Sequence, residues 1–264
     1  MAELSARQSD ILNIARASGR VTVEDLARRF EVSAQTIRKD LNDLCDRRSL
    51  TRVHGGAIIA SGVENLAYEA RRFVAAEEKK AIGVAAAAQI PNGCSLFINI
   101  GTTTEEFARA ITGRERLLVI TNNLHVVSIL LPSPGIEVVV AGGLVRRSDG
   151  GIVGEATLDL VSQFKVDFAV IGASALDEDG TLLDFDYREV RVTQKIIQNA
   201  RKAILVADAL KFARTAPVRI GHVSQLAAVV TDAPTPERFA AACAEAGVQL
   251  IVAAEPEEGA ASAD

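Results

Sequence analysis

The chain has 264 residues, 48% hydrophobic and 24% charged, an ordinary globular balance with room for a small domain beside a medium one. Aromatic residues make up only 4% and Trp is absent, which argues against a sugar- or base-stacking platform. The net charge of −5 excludes a general polyanion binder, yet residues 1–57 hold ten Lys/Arg against eight Asp/Glu, so a mildly basic module precedes an acidic body.

Three short helices are predicted first. Ser5 with Gln8 forms a capping-box pattern, Ile11, Leu12 and Ala15 give an apolar stripe, and Gly19 is placed to stop the helix. Thr22 with Asp25 repeats the cap before Val23, Leu26, Ala27 and Phe30. After the tight Glu31–Val32 connection, Ser33 caps a third helix that runs through Asp46. Ser49–Val53 reads as a strand, and Gly55–Gly56 ends the module. Two helices joined by a short turn, with a strand and glycine turn behind them, predict a winged helix-turn-helix over residues 1–57.

Residues 58–75 read as a linker with some helical character. Beyond them helices and strands alternate over residues 76–256. Apolar β-type runs fall at Leu96–Ile100, Leu117–Thr121, Ile136–Val140, Asp167–Ile171, Ala203–Ala207, Ala227–Thr231 and Gln249–Val252. Amphipathic stretches fall at Glu77–Gln89, Thr103–Ile111, Tyr187–Asn199 and Pro236–Ala246. Near-continuous apolar strands separated by helices predict an open α/β domain around a mostly parallel sheet. The acidic, Ala-rich residues 257–264 read as a disordered tail.

Along the third helix Ile37, Leu41 and Leu44 share one face. Gln35, Lys39 and Asn42 lie roughly opposite, flanked by Thr36 and Arg38. Such a face suits a DNA major groove: Gln pairs with adenine, Arg with guanine, and Lys and Thr with phosphate oxygens. Ser33 sits where free helix amides favour a phosphate. A plain amphipathic surface helix would carry a similar polar face. The basic run Arg47–Arg48, with Arg52 and His54 beside the glycine pair, tips the pattern towards DNA.

The strand at Leu96–Ile100 runs into Gly101-Thr102-Thr103-Thr104, and a helix follows. Glycine and hydroxyls at a helix N-terminus suit a phosphate monoester, although a Thr102–Glu105 capping box gives the same sequence. Asn122, Gly142 and Ser174 punctuate other strand ends, where ligands of open α/β sheets bind. Lys211 is a source of positive charge there, unless Lys211 and Arg214 are solvated loop charges.

VSAQTIRKDLNDL followed by LTRVHGGA closely resembles the helix-turn-helix and wing of the DeoR family of repressors. The resemblance continues through EEKKAIGVAAAAQIPNG, INIGTTTEEFA, VITNNLHV, GGIVGEATLDLVSQFKVDF and LLDFDYREVR. It implies a sensor domain similar to ribose-5-phosphate isomerase, with a phosphate held by Gly101, Thr102, Thr103 and Lys211, and with Asn122, Gly142 and Ser174 nearby. It also implies repression of operator DNA by a homo-oligomer, relieved by a phosphorylated metabolite such as glycerol 3-phosphate. Asn99 stands where the family pattern often has Asp, and Ala209-Leu210 replaces hydroxyl residues before Lys211.

Asp184, Asp186 and Glu189 raise the alternative of an active isomerase, since enediol chemistry needs a carboxylate base. Against it, Asp186 is placed to cap the helix from Tyr187, and Asn99 removes a carboxylate. No catalytic residue is therefore predicted. Cys45, Cys94 and Cys243 are odd in number and lack a CxxC pair, which fits a reducing cytosol. His54, His125 and His222 are too scattered for a metal cluster, and no metal or cofactor is expected. The polar start of the chain does not read as a secretion signal, and the apolar run Ala81–Ala88 is too short for a bilayer. A soluble, cytoplasmic protein is expected.

Overall fold

The computed structural model describes residues 4–18, 20–47, 49–53, 55–59 and 68–254. His54, Arg48, Gly19 and the tail at 257–264, each singled out above, lie outside the described residues. Among those described, no helix is long and apolar enough to cross a membrane.

The N-terminal module comprises α1 (Ala6–Ser18), β1 (Arg20–Thr22), α2 (Val23–Arg29), α3 (Ala34–Asp46), β2 (Leu50–Val53) and β3 (Gly56–Ile59). Its caps form as the sequence implied. Gln8 N donates to Ser5 Oγ at 3.1 Å while Ser5 N donates to Gln8 Oε1 at 3.2 Å, and Asp25 N donates to Thr22 Oγ1 at 3.1 Å. Ile11, Leu26, Ile37, Leu41, Leu44 and Leu50 fill one core. Two strands escaped the sequence reading. Gly56 does not end the module but opens β3, which lies between β1 and β2. It pairs with Thr22, and a Cβ there would sit 1.9 Å from the Val21 carbonyl oxygen, so glycine alone fits.

Next come α4 (Tyr68–Phe73), α5 (Ala76–Ala87), β4 (Ser95–Ile98), α6 (Thr102–Ala110), β5 (Leu117–Thr121), α7 (Leu124–Leu130) and β6 (Ile136–Val140). A small hairpin, β7 (Leu144–Val145) and β8 (Ile152–Val153), precedes α8 (Glu155–Ser162) and β9 (Val166–Ile171). The chain continues through β10 (Ala175–Leu176), β11 (Thr181–Asp184), α9 (Tyr187–Gln198) and β12 (Ala200–Val206). A 3-10 turn at Ala209–Ala213, β13 (Val218–His222), β14 (Ala228–Thr231), α10 (Glu237–Glu245) and β15 (Gln249–Val252) complete it.

Seven strands form one parallel sheet in the order β15-β14-β12-β9-β4-β5-β6. Alternate residues of each strand face opposite layers. Phe97 joins Val161, Val190, Ile196 and Phe239 on one side. Leu96 and Ile98 join Ile82, Phe107, Val126 and Leu130 on the other. Helices therefore cover both faces, as the continuous apolar runs required. Strand order reverses between β4 and β9: β5 and β6 follow β4 outward one way, while β12, β14 and β15 follow β9 the other way. Their carboxyl ends flank the crevice where open α/β sheets bind ligands.

Candidate functional site

The polar face of α3 forms as expected. Ile37, Leu41 and Leu44 are buried, while Gln35, Arg38, Lys39 and Asn42 are exposed. Gln35, Arg38 and Lys39 make no hydrogen bond or ion pair among the described residues, so their donors are free for a duplex. Ser33 acts as the N-cap: Thr36 N donates to its Oγ at 3.2 Å, and the two hydroxyls lie 2.9 Å apart. Arg52 is exposed on β2, opposite Ala57 of the wing hairpin. Asp40 departs from the simple stripe, because it is buried and accepts a 2.6 Å bond from Arg7 Nε. It ties α1 to α3 and so fixes the angle at which α3 is presented.

At the carboxyl end of β4, Gly101 adopts φ +150°, a backbone few L-residues tolerate, and α6 starts immediately after it. Thr102 is not a side-chain cap. Glu105 N bonds the Gly101 carbonyl, and Thr104 Oγ1 donates to the carbonyls of Asn99 and Gly101 at 2.8 and 2.7 Å. The hydroxyls of Thr102 and Thr103 make no hydrogen bond among the described residues, and the first-turn amides of a helix have no internal acceptor. Glu105 lies on the first turn of the same helix. It is buried and engaged by Tyr68 Oη at 2.8 Å and Asn123 Nδ2 at 3.3 Å.

Lys211 follows the carboxyl end of β12 and is buried, not solvated. Its Nζ lies 3.9 Å from Asp208 Oδ2. Burial pulls this amine down to about 7 against the attraction of Asp208, with Arg214, Lys79 and Arg71 adding repulsion. Lys79 on α5 is buried too and held down to about 8 by the same desolvation. Arg214 is buried, its Nε without a hydrogen-bond partner. Three buried basic groups thus lie around one buried carboxylate, and an anion would favour their charged forms. Lys79 and Arg214 were missed as site residues. Lys79 reads as one more lysine on an amphipathic helix, and only the sheet brings it to Lys211.

Other candidates are committed elsewhere. Asn122 Nδ2 donates to the Ile152 carbonyl at 3.0 Å and anchors the β7–β8 hairpin. Ser174 Oγ donates to Asp184 Oδ2 at 3.0 Å. Gly142 is exposed past β6, four strand spacings from β12, which is about 19 Å at the usual separation. The structure therefore gathers Gly101, Thr102 and Thr103 near the crevice with Lys211 two strands away, and leaves Gly142 apart. Asn99 Nδ2 donates to Thr193 Oγ1 at 2.7 Å, which fixes this side chain at the floor of the crevice.

Of the acidic residues that suggested catalysis, Asp184 accepts from Ser174 Oγ and Phe185 N, while Asp186 and Glu189 are bound up with guanidinium groups. Arg146 meets Glu189 at 2.6 Å, Asp186 at 3.1 Å and both oxygens of Asp149. Asp186 caps α9, and hydrogen bonds from Arg188 and Arg146 hold its carboxyl below the usual range. Burial, reinforced by the charge of Asp184, pushes Glu189 up.

A model of the DeoR-like helix-turn-helix domain matches residues 7–63, and a model of the DeoR C-terminal sensor domain matches residues 74–233. The chain belongs to the DeoR family. Among its relatives is the glycerol-3-phosphate regulon repressor of Escherichia coli (strain K12), 46% identical over 230 residues, or 87% of this chain and 91% of that one. The HTH-type transcriptional repressor CsqR of the same organism is 38% identical over 246 residues, covering 93% and 94%. Ribose 5-phosphate isomerase A from Neisseria gonorrhoeae overlaps 54% of this DeoR-family chain and 55% of its own, at 16% identity and a TM-score of 0.38. That overlap is too slight to bear on function.

Proposed function

We propose that this DeoR-family repressor binds double-stranded operator DNA through residues 1–57 and releases it when the domain at 76–256 binds a phosphorylated metabolite, with glycerol 3-phosphate the leading effector. The observation that carries the effector half is the buried group of basic side chains, Lys79, Lys211 and Arg214, around Asp208, two strands from the Gly101–Thr103 turn at the strand-order reversal. A dianion there neutralises the cations and accepts from the free Thr102 and Thr103 hydroxyls. The glycerol-3-phosphate regulon repressor among its relatives supports glycerol 3-phosphate over other phosphate monoesters.

On the DNA side, Gln35 and Arg38 read base edges, Lys39, Thr36 and Ser33 meet phosphates, and Arg52 with His54 follows the backbone from the wing. A homo-oligomer presents two such modules to paired half-sites. Operator access sets the cytoplasm as the working compartment. The chain has no catalytic part in this reading, because Asp186 and Glu189 are held by Arg146 and Arg188 and Asn99 cannot act as a base.

The test uses full-length protein bound to a duplex selected by the protein itself from random sequence. Fluorescence anisotropy should report release on addition of glycerol 3-phosphate and retention with glycerol. Release by a different phosphorylated sugar alone would change the effector. No release by any phosphate monoester would remove the effector reading.

A further inference from the structure

Helix α4 belongs to the segment between the two domains, yet its side chains are built into the sensor. Tyr68 donates to Glu105 at 2.8 Å and stacks on His125, ring centroids 4.6 Å apart and nearly parallel. Arg71 pairs with Asp149 at 3.2 Å. Lys79 Nζ donates to the carbonyls of Arg71 and, at 2.5 Å, Val74, so an amine of the cation cluster is fastened to the last turn of α4. Helix α4 also contacts α1 of the winged helix.

Between α4, the β7–β8 hairpin and the segment entering α9 lies a cleft of about 570 Å³, a size that suits small-molecule sites. Tyr68 and Arg71 line one side, Arg146 and Asp149 another, and Phe185 and Asp186 a third. None of the effector residues expected from the sequence lines it. Arg71 links this cleft to the cation cluster, since it lines the cleft while its carbonyl takes a bond from Lys79 Nζ. Its Nε is buried without a hydrogen-bond partner. Asp149 is already held through both oxygens by Arg146, so Arg71 is free to turn from it without stranding a buried carboxylate.

We propose that α4 is one wall of the effector site and that Arg71 is an effector ligand: a phosphate monoester on the cation cluster is gripped between Arg71 and the sensor body. The segment joining the two domains therefore binds the inducer itself, and the grip repositions α4 against α1. The idea rests on reading the Lys79–Lys211–Arg214 cluster as the phosphate site. It adds a contact from outside the sheet, a specificity element in which the hydroxyl-bearing end of the effector faces the cleft.

The experiment is hydrogen–deuterium exchange on the full-length chain with and without glycerol 3-phosphate, paired with calorimetry on Arg71→Ala and Arg71→Lys. The expected result is slower exchange at both 101–105 and 68–74. Arg71→Ala should bind at least about tenfold more weakly and Arg71→Lys should recover part of that loss, as one charge-assisted contact implies. Slower exchange at 101–105 alone, with Arg71→Ala binding like the parent, overturns the role of α4 and leaves the phosphate site standing. No response at either segment, to glycerol 3-phosphate or to inorganic phosphate, removes the phosphate site and this inference with it. Should Arg71→Ala fail to fold, exchange at 68–74 in the parent chain still decides.

Discussion

Lys211 and Lys79 are amines that burial has made easy to deprotonate, to about 7 and about 8. In the unfolded chain a lysine keeps its proton to about 10.4. Between those limits the unfolded state binds more protons, so the ligand-free protein should gain stability from these two groups as pH rises from about 6 towards 9. A bound phosphate dianion has the opposite preference, because it needs the charged amines. Effector affinity should therefore fall by at least about tenfold between pH 7 and pH 9. Calorimetry at the two pH values reads this directly, and Lys211→Met should weaken binding at pH 7 and flatten most of the dependence. The charged groups that act on the two amines are Asp208, Glu78, Arg71 and Arg214. Equal affinity at pH 7 and 9 would mean that these amines do not face the anion.

Helix α3 works as an element because one stripe is buried and another is left unpaired. The caps at Ser33 and the tie from Arg7 to Asp40 hold its backbone, while Arg38 and Lys39 retain free donors. Two neighbouring cations should nevertheless differ in role. Lys39→Ala should weaken binding to every duplex alike and reduce the salt slope by about one unit, the mark of a lost phosphate contact. Arg38→Ala should relax base preference at one position, at a cost of roughly 1–3 kcal/mol. Anisotropy titrations over several salt concentrations and single-base variants separate the two. A sequence-dependent loss for Lys39 with a uniform loss for Arg38 would exchange their roles.

The proposed function requires the whole molecule to convert binding at the sheet crevice into movement of the winged helix. Driving a repressor from 99:1 bound to 1:99 takes about 10⁴-fold differential affinity, or roughly 5.5 kcal/mol. One small anion supplies that more readily when several sensor sites act together, so inducer titrations of operator release should be sigmoidal. By reciprocity, saturating operator should weaken effector binding by the same overall factor. Calorimetry with and without operator tests this. Equal affinities would mean that the metabolite occupies its site without acting as an inducer.

Much of this was legible in one dimension, and for identifiable reasons. Caps at Ser5, Thr22 and Ser33, the Ile37–Leu41–Leu44 stripe and the strands at Leu117–Thr121, Ile136–Val140 and Gln249–Val252 depend on neighbours close in sequence. So does the Gly101 turn. Short elements were lost because their partners are remote: β3 pairs with β1 more than thirty residues earlier, and β11 pairs with both β10 and β13. The Thr102–Glu105 pattern promised a cap, but Gly101 holds the cap position and Glu105 turns to Tyr68. Sequence alone determined that a glycine-and-threonine turn follows β4 and that a lysine follows β12. Only the tertiary structure decided that Lys79 and Arg214 join Lys211, that Asn122 and Ser174 are spent on internal bonds, and that α4 folds back onto the sensor. The reason is that charge excess and burial are properties of a neighbourhood, and the parallel sheet assembles that neighbourhood from segments up to about 140 residues apart.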